Sequence, residues 1–380
     1  MEISANFDGG NIVFDSVRQS DSVNHAYLRI RKDLGAEFLQ WFYFRAENVK
    51  DLHLIIHITN AGEAFSPAGW NGYKACTSYD RQNWFRSSTS FDGKELKIEI
   101  EPEHNTVFFA YFPPFSFEQH LDMVASAQIS PFCTLETIGR TVEKRDIDFL
   151  TIGEPADSQK KIWILGRQHA GEAMASWFIK GMLERLLNEN DPVSIKLLGQ
   201  AVFYVVPSMN LDGSIAGNIR VNGAGRDLNR EWASPNKDHS PEVFHVKNKM
   251  LSIGVDLCLD IHGDEELPYN FVSRIDGIPI FDDSLAKHQS MFSDAWKKAS
   301  PDFQDEFGYP VDKPGKANLA ICSKNIANTF NCLALTVEMP FKDNANLPDP
   351  VQGWSISRSE GFGASLISAL VLIIDKLGKA

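Results

Sequence analysis

The stretches KIWILGRQHAGE (residues 161–172), VDLCLDIHGD (255–264) and LALTVEM (333–339) decide how this chain folds. Each opens on a nearly continuous apolar run, the pattern of a β-strand covered on both faces. AVFYVVP (201–207) reads the same way. Between the first two runs, EAMASWFIKGMLERLLNEN (172–190) carries Met174, Phe178, Met182, Leu183 and Leu186 at helical spacing. Buried strands interleaved with helices predict an α/β domain with a mixed, largely parallel sheet flanked by helices. The stretch from Ala364 to Leu377 predicts a closing helix. Its apolar run, Ala364 to Ile374, is too short to span a bilayer, so no membrane association is expected.

Upstream the pattern differs. EFLQWFYFRAE, DLHLIIHITN, KELKIEIEP and NTVFFAYF are short, rich in aromatic and β-branched residues, and separated by turn signals such as FDGK. Residues 1–125 are therefore expected to form a β-sandwich domain, with the α/β domain over 126–380. A chain of 380 residues exceeds what one hydrophobic core usually supports, which fits two domains. The net charge of −13 argues against a nucleic-acid partner, because phosphate binding needs basic patches. The five cysteines (Cys76, Cys133, Cys258, Cys322 and Cys332) are odd in number and form no CxxC pair, which argues against a disulfide framework or a cysteine zinc site. The opening MEISANFDGG carries neither a basic nor an apolar leader region, and the expected compartment is the reducing cytoplasm. The oligomeric state is not legible.

Each buried strand runs into a chemically capable group: KIWILGRQ into His169 and Glu172, VDLCLDI into His262, LALTV into Glu338. In open α/β sheets the ligand site lies beyond the carboxyl ends of the strands, so these four residues can converge. Two histidines and one carboxylate make a catalytic zinc set that keeps a fourth position for water or substrate. A further carboxylate that is not a ligand can take a proton and hand it on to a leaving amine. After AVFYVVP comes a loop rich in Gly and Asn: Asn210–Gly213, Gly217–Arg220, then Gly225–Arg230. An arginine fork there suits a substrate with a free carboxylate.

In the order HAGE, NLDGSIAGNIR, GRDLNR, IHGDE and TVEMPF, the chain resembles the metallocarboxypeptidases, most of all the cytosolic carboxypeptidases and their bacterial members. QWFYFRAENV and FAYFPPFSFEQHL are similar to the extra β-domain of that subgroup. The resemblance implies one Zn2+ per chain held by His169, Glu172 and His262. It implies Arg220 at the oxyanion, Asn229 and Arg230 on the terminal carboxylate, and Glu338 as general base. It also implies peptide or protein C-termini, or side-chain-linked amino acids, as substrate, with glutamate as the residue removed. Tyr309 is the candidate for the tyrosine that covers the substrate in many carboxypeptidases, and Lys316 for the basic residue of deglutamylating members. A zinc amidohydrolase acting on N-acyl amino acids is the alternative, since deacylases of related fold use the same zinc set. His53 and His57 read as ordinary strand residues of the β-domain.

Overall fold

The computed structural model describes residues 1–377. The first part is all-β. Two five-stranded sheets run in the orders Glu2–Ser4, Tyr43–Glu47, Thr106–Ala110, Cys76–Ser78, Trp84–Arg86 and Val13–Ser20, Val23–Arg29, His53–Ile58, Leu96–Ile100, Ser88–Phe91. Alternation sets which residues enter the core: Leu54, Ile56 and Ile58 on one strand and Leu96 and Ile98 on its neighbour are fully buried. The strand expected from EFLQWFYFRAE begins only at Tyr43. Before it, the Gln40 amide accepts from Ser66 N at 3.1 Å and donates to Ser66 O at 3.0 Å, a side chain making the contacts a ladder would otherwise make.

The second part is built on a seven-stranded sheet in the order Cys133–Arg140, Asp146–Ile152, Ala201–Val206, Lys160–Gly166, Leu257–Ile261, Leu333–Glu338, Phe271–Ser273. The four central strands are parallel and the outer pairings antiparallel. Register brings the chemistry to one level: Gly166 pairs with Ile261, and Ile261 with Val337, so each polar residue emerges just past the same edge. Helices Ala173–Leu186 and Ile356–Val371 cross on the sheet. They touch through glycine, since a Cβ on Gly363 would stand 1.9 Å from Phe178 O and one on Gly181 2.1 Å from Glu360 O. The closing helix thus begins earlier than expected and ends at Val371, with a short 3-10 turn at Ile374–Lys376.

One helix falls where the sequence predicts only strands. Phe117–Gln128 starts from a capping box in which Ser116 Oγ accepts from Gln119 N and the Gln119 side chain accepts from Ser116 N. The expected boundary at residue 125 lies inside it.

The two parts interlock. Arg86, at the end of a β-domain strand, donates to Gln352 O (3.0 Å), Phe341 O (3.0 Å) and Trp354 O (3.0 Å), and to Lys74 O of its own domain (2.8 Å). Lys342 Nζ returns a bond to Asn71 O at 2.9 Å. Carbonyls left without a donor at this seam would each cost about 1–3 kcal/mol. Arg86→Ala is therefore expected to lower unfolding free energy by about 2–4 kcal/mol in a denaturant titration. A loss below about 0.5 kcal/mol would show that the seam does not depend on this side chain.

Candidate active site

Arg167, the residue after strand Lys160–Gly166, has φ 55° and turns the chain so that Gln168 and His169 leave the sheet edge. Its Nε donates to Ala170 O at 2.9 Å and fixes the turn. His169 and Glu172 then lie on one side, and His262 arrives from the neighbouring strand, its N–H bonded to Val337 O at 2.8 Å. The Glu172 carboxylate sits between the rings, Oε1 at 2.7 Å from His169 Nδ1 and Oε2 at 2.7 Å from His262 Nδ1. One ligand atom from each of the three residues lies within 4.8 Å of the others, the one such group among the described residues. All three residues are buried. Burial pushes the Glu172 carboxyl up, but the two histidines outweigh it and bring it down to about 2.

The far nitrogens are held as well. His169 Nε2 lies 3.1 Å from Asp227 Oδ1, and His262 Nε2 lies 2.9 Å from Asp260 Oδ2. A carboxylate behind each ring keeps the proton on Nε2 and leaves Nδ1 to face a cation. Asp260 is fully buried within its strand and also accepts from Gln168 Nε2 at 2.6 Å. Asp227 Oδ2 takes Arg220 Nε at 2.7 Å. Burial opposes the Asp227 charge, yet His169, Arg220 and Arg230 hold its carboxyl far below the usual range. Burial likewise opposes the Arg220 charge, and Asp227, Glu265 and Glu172 outweigh it.

Glu338 closes the strand Leu333–Glu338, only 6% exposed, with a buried Oε2 that has no hydrogen-bond partner. Burial drives its carboxyl well above the usual range; His262 pulls it down, while Glu172, Asp264 and Glu265 push it further up. Glu265 is raised in turn by burial, Glu172 and Asp264, against Arg220. An unpartnered carboxylate facing others in a buried cleft is costly unless a cation belongs among them. Two imidazole nitrogens and a carboxylate are the donor set of catalytic zinc, so the residues fit that metal.

Asn229 is used structurally: Oδ1 accepts from Cys322 N at 2.8 Å and Nδ2 lies 3.3 Å from His262 Nε2. Arg230 is exposed, its Nη1 donating to Asn229 O at 2.7 Å. Tyr309 is 42% exposed, yet its hydroxyl turns inward to Asp264 Oδ2 at 2.5 Å, and its acidity is set by burial and then by Glu338. Lys316 lies in an exposed turn. Lys324, half-buried on helix Cys322–Phe330, is paired with Asp312. His57 is spoken for by Glu95 and His25, and His53 by Glu99.

Residues 3–112 match the cytosolic carboxypeptidase N-terminal domain, and residues 118–350 match the zinc carboxypeptidase family. The chain belongs to the zinc carboxypeptidase family. A Shewanella denitrificans protein of known structure is 49% identical, with 100% of both chains covered and a TM-score of 0.97. A metallo-carboxypeptidase from Pseudomonas aeruginosa, solved in complex with (2-guanidinoethylmercapto)succinic acid, is 40% identical with 100% of both chains covered and a TM-score of 0.95. Mouse cytosolic carboxypeptidase 3 is 28% identical over 307 residues, 72% of this chain but 30% of that protein, so the chain spans under a third of that relative's length. Zinc is the metal of the family, and this zinc carboxypeptidase carries a His–Glu–His group able to hold it. No helix among the described residues is long and apolar enough to cross a membrane.

Asp227 and Asp260 were not singled out from the sequence. Asp260 carried a signal: a carboxylate inside the apolar run VDLCLDI must have a partner, as Glu338 must. Asp260→Asn is expected to weaken zinc affinity of this carboxypeptidase about 10–100-fold in a chelator competition. Unchanged affinity would show that the Asp260–His262 contact does not tune the metal site.

Proposed function

We propose that the enzyme hydrolyses the bond to a C-terminal or side-chain-linked amino acid, with His169, Glu172 and His262 holding the zinc and Glu338 as general base. The observation that carries this reading is the unpartnered, buried Oε2 of Glu338 beside the three-residue donor group. Zinc, when bound, supplies a Lewis acid and brings the pKa of a water it holds to about 7. Glu338 takes the proton of the attacking water and delivers it to the leaving amine. Arg220 faces the carbonyl oxygen as negative charge develops there, its Nε oriented by Asp227. Asn229 and Arg230 are assigned to the terminal carboxylate; Arg230 is exposed, and with Nη1 on Asn229 O the rest of its guanidinium is suited to that contact. In this reading the β-domain over 1–125 forms one wall of the cleft.

Glu338→Gln keeps the shape and removes the proton acceptor. It is expected to retain zinc and inhibitor affinity while kcat falls by two or more orders of magnitude, general acid–base catalysis being worth about 10²–10⁴-fold. Loss of zinc together with activity would make Glu338 a ligand, and near-normal turnover would remove it from the mechanism.

The residue removed is proposed to be glutamate, supported by Lys324 on the helix that leads into the Glu338 strand, two residues past Cys322, whose N–H bonds Asn229. A cationic residue is the second reading. It is favoured by the carboxylates of Asp264 and Glu265 in the same cleft and by the guanidinium-bearing dicarboxylate bound to the Pseudomonas aeruginosa relative. A panel of peptides ending in Glu, Lys, Arg or Phe, with amidated termini and N-acyl amino acids as controls, distinguishes them. The glutamate reading expects the highest kcat/KM on the Glu peptide and a fall of at least about tenfold in Lys324→Ala. Preference for Lys or Arg ends replaces it with the cationic reading. Turnover of the N-acyl amino acids alone would replace the carboxypeptidase reading with a deacylase.

A further inference from the structure

The loop that carries Arg220 belongs to the α/β domain, but the β-domain holds it. Asp33, 3% exposed, accepts three consecutive backbone N–H groups: Ile219 to Oδ1 at 2.6 Å, Arg220 to Oδ2 at 2.8 Å and Val221 to Oδ2 at 3.0 Å. Neighbouring residues of the same domain continue the grip. Asn11 Nδ2 donates to Gly217 O at 2.7 Å, Arg31 Nη2 to Ala216 O at 2.7 Å, and Leu34 N to Asn218 Oδ1 at 2.9 Å. Gly217 permits the approach: it has φ 72°, and a Cβ there would stand 2.6 Å from Gly10 O.

The guanidinium is walled from the same side. Arg220 Cζ lies 5.5 Å from the ring centroid of Phe38 and 5.5 Å from that of Phe65, and the two rings meet edge to face at 87°. Phe38 is placed by the turn that places Asp33, whose N–H bonds Phe38 O at 2.7 Å. On its other side the loop supports the segment bearing His169 and Glu172: Gly171 N donates to Ile219 O at 2.8 Å, and Asn210 Nδ2 to Arg220 O at 3.3 Å. The backbone of Arg220 is thus fixed by Asp33, its charge by Asp227, and its face by two aromatic rings.

We infer that Asp33 is a positioning residue for the reaction, a β-domain carboxylate that acts through Arg220 by holding residues 219–221. Three charge-assisted N–H bonds to one carboxylate define the height of the loop over the cleft, and Phe38 and Phe65 define the direction of the guanidinium. This inference rests on the proposed role of Arg220 at the developing oxyanion. A misplacement of about 1 Å at such a group costs on the order of 10²-fold in rate.

The test is a double-mutant cycle on the full-length, zinc-loaded enzyme, using Asp33→Asn, Arg220→Ala and the pair, with zinc content and thermal midpoint measured on each preparation. Asp33→Asn replaces an acceptor oxygen with a donor amide opposite backbone N–H groups. It is expected to lower kcat about 10- to 100-fold, to move KM less than about threefold, and to leave zinc bound. Arg220→Ala is expected to lose more, and the pair to be no slower than Arg220→Ala alone, because Asp33 has nothing left to position. Losses that multiply in full, or an unchanged kcat in Asp33→Asn while Arg220→Ala collapses, would overturn the inference and leave the role of Arg220 standing. An unchanged kcat in Arg220→Ala would instead sink the proposed mechanism and this inference with it. Phe65→Leu provides a second variant that leaves Asp33 intact; it is expected to lower kcat several-fold on its own and by nothing further in the Arg220→Ala background. A Phe65→Leu effect that persists there would count against the inference even where Asp33→Asn fails to fold.

Discussion

The pairing of three parallel strands in one register is the constraint on which the rest depends. Gly166, Ile261 and Val337 lie abreast, so the chain leaves the sheet at the same height three times. Side chains alternate along a strand with a period of two. A slip of one residue in the Leu257–Ile261 strand would turn His262, and with it Asp260 two residues earlier, to the opposite face. The continuous apolar character of these strands therefore does more than bury area. Covered on both faces by helices, they cannot slide without exposing Leu, Ile or Val, and the position of His262 against Glu172 inherits that rigidity.

Around this fixed frame the cleft collects negative charge. Glu172, Asp227, Asp260, Asp264, Glu265 and Glu338 face it or lie directly behind it, and Arg220 and the two histidines answer only part of that charge. The division of labour among the carboxylates follows their surroundings. Glu172 is bonded by two rings and Asp227 by a ring and an arginine, while Glu338 Oε2 has no hydrogen-bond partner, the surroundings that the proposed proton carrier needs.

Much of this was legible in the amino-acid sequence because it is local. Buried strands announce themselves as apolar runs, and residues at their ends stand out by contrast; His169, Glu172, His262 and Glu338 were found that way. Helix Phe117–Gln128 was missed although its capping box, Ser116 with Gln119, is written in the chain. The strand predicted through Leu39 to Phe42 was displaced by a glutamine amide acting as backbone. Lys316 is taken from PGKANLAICSKN by likeness to the basic residue that precedes the base strand in the family; in the fold it is exposed, while Lys324 of the same stretch is half-buried on helix Cys322–Phe330. The grip of Asp33 on residues 219–221 had no signal at all. It joins positions 187 residues apart, and nothing in the periodicity of either segment records the other.

Arg86 gives this architecture a direction in time. Its guanidinium satisfies carbonyls of residues 341–354, the segment that follows Glu338, and Asp33 satisfies amides of residues 219–221. Both donors of order lie in the first 86 residues, which leave the ribosome before the segments they organise. An early-folding β-domain is thus a template on which the later loops settle as they are synthesised. The same dependence ties the histories of the two halves together. A catalytic half transplanted onto another partner would carry unpaired backbone amides at residues 219–221 and unpaired carbonyls in the segment after Glu338.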